Sequence, residues 1–140
     1  MNSFLITYKP STESPERVWP LSELLRLVSE QRNGQVHELW RFRKKDANVG
    51  ERVFLILQGK GGPAVIGHGD IVEKPKKVQD KWQALVRFAA LVDPSKPLVT
   101  KNDLLKIRGA QHLWRTQSSG VLMPADVAAK LTTIMAGMAL

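Results

Sequence analysis

The stretch QGKGGPAVIGHGD (58–70) follows directly on the apolar run VFLIL (53–57). Five glycines fall within its thirteen residues, which raises the question of a phosphate-cradling loop. A Walker loop needs GxxxxGK[ST] opening a helix, so that backbone N–H groups and the helix dipole meet the phosphates. Here Lys60 is followed by glycine, and the residues after Pro63 are β-branched and strand-like. The dinucleotide pattern GxGxxG fails on the same ground, since no helix opens after it. Gly61-Gly62-Pro63 between two apolar runs reads instead as a β-hairpin turn. The stretch is scaffold, and function lies elsewhere in the chain.

VFLIL is apolar at every position, which predicts a central strand buried on both faces. Residues 64–75 form the returning strand, where Gly67 and Gly69 signal a bulge or a close approach of another backbone. SFLITYKP (3–10) is a first strand ended by proline, and VHELWRF (36–42) a second. KWQALVRFAALV (81–92) alternates, with Trp82, Ala84, Val86, Phe88, Ala90 and Val92 on one face; we read it as a strand over a competing helix. Helices are predicted at 21–31, with Leu21, Leu24, Leu25 and Val28 on one face, and at 100–109 between Thr100 and Gly109. A last helix spans 124–138, with proline first and a stripe of Val127, Leu131, Ile134 and Met138. Residues 110–120 read as irregular. About five strands and three helices make a single α+β domain over 1–140, with a strongly curved sheet or small barrel.

Charge is the strongest compositional clue. Lys and Arg total 21 against 13 Asp and Glu, a net charge of +8, and the pI is about 10.1. The excess concentrates in RFRKK (41–45) and KPKKVQDK (74–81), which favours a polyanionic partner, nucleic acid before others, over a merely solvated surface. With no cysteine and three scattered histidines, His37, His68 and His112, neither a metal site nor a cofactor is expected. The N-terminus does not resemble a signal peptide, and no apolar run approaches the roughly 20 residues of a membrane span, so a cytoplasmic protein is expected. No nucleophile and base, and no paired carboxylates, suggest an enzyme. Asp70 and Glu73 stand three apart and face opposite sides of a regular strand.

The order of these pieces resembles a family. A strand leads into a Trp-bearing loop and helix, then a strand with tryptophan, VGERVFLILQG, PAVIGHGDIVEKP and, near the end, WRTQSSGVLMPADVAAKL. This is similar to the EVE branch of the PUA-like superfamily, in particular to EVE domains fused to HNH nucleases in modification-dependent restriction systems. The resemblance runs from about Phe4 to Leu131. It implies a curved mixed sheet, a pseudo-barrel flanked by helices, with a pocket that accepts one flipped base. In DNA-associated members that base is modified, as in 5-methyl- or 5-hydroxymethylcytosine; other relatives bind RNA. The chain itself has no room for an HNH nuclease, so a nuclease would be a partner or a fused domain.

The resemblance assigns Trp19 and Trp40 to the pocket side, where the alternative for each is core. Tyr8 either lines the pocket or packs beneath it. Gln117, Ser118 and Ser119 match the family's polar segment before the last helix, and either read the base edge or serve local turns. Lys9, Arg41, Arg43, Lys44 and Lys45 are candidate backbone contacts, which contribute affinity without sequence information. Trp82 is expected in the core, Trp114 either anchors its loop or does not, and His68 is expected as a partly exposed surface residue.

Overall fold

The computed structural model describes residues 1–9, 21–31, 36–59, 61–116 and 118–138. Six strands form one mixed sheet: β1 (Ser3–Tyr8), β2 (Val36–Arg41), β3 (Arg52–Leu57), β4 (Ala64–Val78), β5 (Lys81–Leu91) and β6 (Val121–Met123). Their order is β2-β5-β4-β3-β1-β6, with β1 parallel to β3 and every other neighbouring pair antiparallel. The helices are α1 (Leu21–Gln31), α2 (Lys101–Leu105), α3 (Gln111–Trp114) and α4 (Ala125–Met138).

The α+β class is as expected, with one more strand and one more helix than the pattern predicts. Both additions, α3 and β6, come from the segment around 110–123 or its edge. They are four and three residues long, too short for a hydrophobic period to declare itself. Tertiary contacts make them: Leu5 pairs with Val121, and Leu113 and Trp114 are buried.

The glycine-rich stretch is a hairpin connection, closed by the Leu57–Ala64 pair, with a cis Gly62–Pro63 peptide. It runs directly into β4 and not into a helix. At Gly69 a Cβ would lie 1.9 Å from the Arg87 carbonyl oxygen, so the close approach that the sequence suggests is real. β3 is buried on both faces. Val53, Leu55 and Leu57 point to an inner cluster with Phe4, Ile6, Val86 and Phe88, which α1 covers with Leu24, Leu27 and Val28. Phe54 and Ile56 point to an outer cluster with Leu5, Val65, Leu104, Trp114, Val127 and Leu131 from β1, β4 and the other helices. A strand lying between two apolar layers has no polar face to show, which is why VFLIL does not alternate.

Two details differ from the sequence pattern. On α1 the buried stripe is Leu24, Leu27 and Val28, while Leu21 and Leu25 are exposed; the apolar spacing allows two faces, and packing on β5 and β2 selects one. In β5, Phe88 pairs with Gly69 and Ala90 with His68, so Ala89 is an extra residue. This bulge flips the alternation, and Leu91 is buried in place of Ala90 and Val92. Trp82, expected in the core, is only half-buried: it stands beside the β4–β5 turn under the Lys45 ammonium, 4.9 Å from the ring.

The sheet curls until its two edges meet. Beyond β2, the Arg43 N–H donates to the Ser119 carbonyl beside β6 at 2.9 Å, and Phe42 packs edge-on against Phe4 with centroids 5.1 Å apart. This seam turns an open sheet into a near-closed barrel. Among the described residues no helix is long and apolar enough to cross a membrane.

His68 is half-buried and lies opposite Phe54, on the face where Arg52 donates to Thr132. Burial, with Arg52 second, holds its imidazole below the ordinary 6.5. The folded state therefore binds its proton less readily than the unfolded state does. Stability contributed by neutral His68 is full above pH 6.5 and declines as pH falls through the lowered folded-state value. Urea midpoints measured across this window are expected to fall with pH in the wild type and to flatten in His68→Gln.

Candidate nucleic-acid interface

The candidate residues gather at the seam because strands far apart in sequence end there. Near the end of β1, the Thr7 N–H donates to Ser119 Oγ at 2.9 Å, and the two hydroxyls lie 3.1 Å apart. The Thr7 carbonyl accepts the Trp40 indole N–H at 3.1 Å. The Gly120 N–H donates to the Leu5 carbonyl at 2.8 Å, and the Arg43 guanidinium reaches Ser118 Oγ at 3.4 Å. Ser118 is steadied in turn by its N–H bond to Thr116 Oγ1 at 3.2 Å.

Gln58, just past β3, ties the other side of this region. It is 4% exposed. Its N–H donates to the Tyr8 carbonyl at 2.8 Å, and its amide donates to the Trp114 and Thr116 carbonyls at 2.9 and 2.8 Å. Buried carbonyls left without donors are costly, so a glutamine here holds the chain leading into the serines. The Trp114 ring is buried in the outer cluster, and its indole N–H has no partner among the described residues.

Of the candidates, Ser118 and Ser119 are half-buried within the seam network, and Trp40 lies beside them. Trp40 is 8% exposed and packs edge-on against Phe88, centroids 5.8 Å apart, within the inner cluster. Tyr8 is buried in the same cluster, and burial pushes its phenol above the ordinary value. Trp19 and Gln117 lie outside the described residues.

Lys9, Arg41, Arg43, Lys44 and Lys45 are all exposed. Lys44 lies 4.0 Å from Asp46, and the other four make no ion pair among the described residues. Uncompensated cations beside a polar seam suit a polyanion. The carboxylates raised as alternatives are occupied: Asp70 pairs with Arg87 at 2.9 Å and Glu73 with Lys76 at 3.3 Å. Among the described residues no cluster of His, Asp and Glu is placed to hold a metal ion.

Sequence reasoning missed Thr7, Phe42, Gln58 and Gly120. Only Gln58 carried a local signal, a polar residue closing an otherwise apolar strand. Two surface clefts lie away from the seam. One, of about 420 Å³, is formed by Met1, Ser3, Met123 and Ala128, and one of about 500 Å³ by Ile107, Arg108, Lys130 and Ile134.

No protein-family profile and no curated protein matches the sequence. Solved structures do match along its whole length. The chain is similar to a hypothetical protein from Leishmania major, at 15% identity over 100% of this chain and 98% of that one, with a TM-score of 0.66. It is similar to human THYN1, solved in complex with DNA containing 5-methylcytosine, at 10% identity over 99% and 98%, TM-score 0.59. The Mmi1 YTH domain, also solved in complex with RNA, matches at 10% identity over 98% and 96%, TM-score 0.57. A six-stranded mixed sheet curled on itself, with helices against both faces, is the fold these structures share, the PUA-like fold.

Proposed function

We propose that the chain is a non-catalytic module that binds nucleic acid and accommodates a flipped, modified base, of the 5-methyl- or 5-hydroxymethylcytosine type. The observation that carries this reading is the seam. It brings Thr7, Trp40, Arg43, Ser118 and Ser119 together from segments up to 112 residues apart and flanks them with unpaired cations. Extruding a base costs a few kcal/mol, which stacking on a ring and polar contacts to the base edge must offset. The THYN1 complex with methylated DNA supports the same substrate class on the same fold. With Asp70 and Glu73 held in ion pairs, binding rather than chemistry is the better use of the site. The resemblance to readers fused to HNH nucleases extends the proposal to a nuclease partner acting beside the bound base.

Fluorescence anisotropy with matched short duplexes, unmodified, 5-methylcytosine and 5-hydroxymethylcytosine, tests the reading at low and moderate salt. One modified duplex is expected to bind best. Trp19→Ala, at the position the resemblance gives to a stacking ring, should remove about 1–3 kcal/mol of that binding. Equal binding to all three duplexes would refute the modified-base reading. A preference for structured RNA would favour a PUA-like RNA-binding module instead, a reading supported by the Mmi1 complex with RNA.

A further inference from the structure

The two neighbouring serines at the seam are held differently, and the difference gives them different tasks. Ser119 Oγ accepts the Thr7 N–H at 2.9 Å and lies 3.1 Å from Thr7 Oγ1. A hydroxyl offers one proton and two lone pairs, so two of the three positions on Ser119 are already taken. Its carbonyl is taken as well, by the Arg43 N–H at 2.9 Å. Ser119 is a strut of the barrel. Ser118 is anchored by its N–H, on Thr116 Oγ1 at 3.2 Å. Among the described residues its hydroxyl meets only the Arg43 guanidinium, at 3.4 Å, beyond the usual range of an N–H···O bond.

That guanidinium is exposed and has no carboxylate partner among the described residues. An exposed arginine is ordinarily only solvated. Here the backbone on either side is fixed: the Arg43 N–H bonds to Ser119, and the Gly120 N–H bonds to the Leu5 carbonyl at 2.8 Å. A Cβ on Gly120 would lie 2.6 Å from the Arg43 nitrogen, so the two segments touch. The seam therefore sets a cation and a hydroxyl side by side from positions 75 residues apart. Ser118 Oγ accepts from Arg43, which leaves its own proton free to donate. Both groups are donors, and neither meets a strong acceptor. A phosphate oxygen is one: its bond to an ionised donor is roughly twice as strong as a neutral bond, and a guanidinium fits it with two parallel N–H groups.

We propose that Arg43 and Ser118 form a phosphate clamp at the mouth of the seam, which holds a phosphate flanking the flipped nucleotide. The proposal rests on the base-flipping reading of the seam. Extrusion turns a nucleotide about its backbone, so the base enters the pocket while the flanking phosphates stay outside. Ser118 then binds phosphate and not the base edge. The clamp fixes the register of the nucleic acid without reading its sequence.

The test titrates the wild-type chain, R43Q, S118A and K130Q against plain and 5-methylcytosine duplexes over a range of salt. In two further modified duplexes, one or the other phosphate flanking the modified nucleotide is a neutral methylphosphonate. K130Q removes one exposed charge from α4, away from the seam, and urea midpoints verify that every variant folds. R43Q should weaken binding to the modified duplex about tenfold or more and reduce the slope of log affinity against log salt by about 0.9. S118A should weaken it about threefold at unchanged slope, since a hydroxyl carries no charge. One of the two methylphosphonates should weaken the wild type as R43Q does, and should cost R43Q nothing further. Losses that simply add at both positions, or equal slope changes in R43Q and K130Q, would overturn the clamp and leave a discriminating pocket intact. A wild type that binds plain and modified duplexes equally would refute the pocket. A lower slope in R43Q but not in K130Q would then still uphold the phosphate contact at Arg43.

Discussion

Trp40→Ala is expected to lower the free energy of unfolding by about 3–5 kcal/mol, the range for truncating a large buried ring. Trp40 is 8% exposed, its ring is packed edge-on against Phe88, and its indole N–H satisfies the Thr7 carbonyl across the seam. Alanine removes all three features at once. Trp40→Phe keeps most of the packing and loses the hydrogen bond, so about 1–3 kcal/mol is expected. Urea denaturation followed by far-UV circular dichroism gives both values, since tryptophan fluorescence itself changes in these variants. A loss below about 1 kcal/mol for alanine would show that the cluster does not depend on this ring. The pair of variants also separates folding from binding. An alanine variant that fails to bind DNA has lost the wall of the barrel, whereas a phenylalanine variant that folds and fails to bind isolates the indole.

The barrel wall was legible in the sequence to the extent that its residues carry local patterns. VFLIL announced a strand covered on both sides, and the glycines after it announced a turn, because burial and turn geometry leave their marks within a few residues. KWQALVRFAALV announced a strand but not its bulge, and the extra residue at Ala89 is why the burial pattern slips at Leu91. Trp82 was misplaced for a related reason. Alternation gives the face of a strand but not how far along that face the covering layer extends, and the start of β5 lies past it.

The seam left almost no local trace. Thr7 and Ser119 are 112 residues apart, and Arg43 and Ser118 are 75 apart. No period or motif links such pairs. Only resemblance to a family whose members share the arrangement pointed to Ser118, Ser119 and Trp40. Thr7, which holds Ser119 and Trp40 in place through backbone groups, could be found only in three dimensions.

Gly120→Ala should be nearly as damaging as the loss of Trp40, although it adds a single methyl group. Gly120 sits at φ +83°, where a side chain costs roughly 1–2 kcal/mol. Its added Cβ would also lie 2.6 Å from the Arg43 backbone nitrogen and 2.9 Å from the Phe42 ring. Those atoms cannot retreat without weakening the Arg43–Ser119 bond that closes the barrel, which is worth about 1 kcal/mol more. A total loss of about 2–4 kcal/mol is therefore expected by chemical denaturation. Gly109→Ala is the matched control. Its φ is +77°, nearly the same, yet nothing lies within 4 Å of the added Cβ, so it bears only the backbone strain. The excess for Gly120 over Gly109 measures the closeness of the seam, and equal losses would mean that the two edges are not held together there. If the seam also shapes the base pocket, discrimination between modified and plain DNA should fall in Gly120→Ala and persist in Gly109→Ala. The salt dependence of binding should remain in both, because phosphate attraction does not require a closed barrel edge.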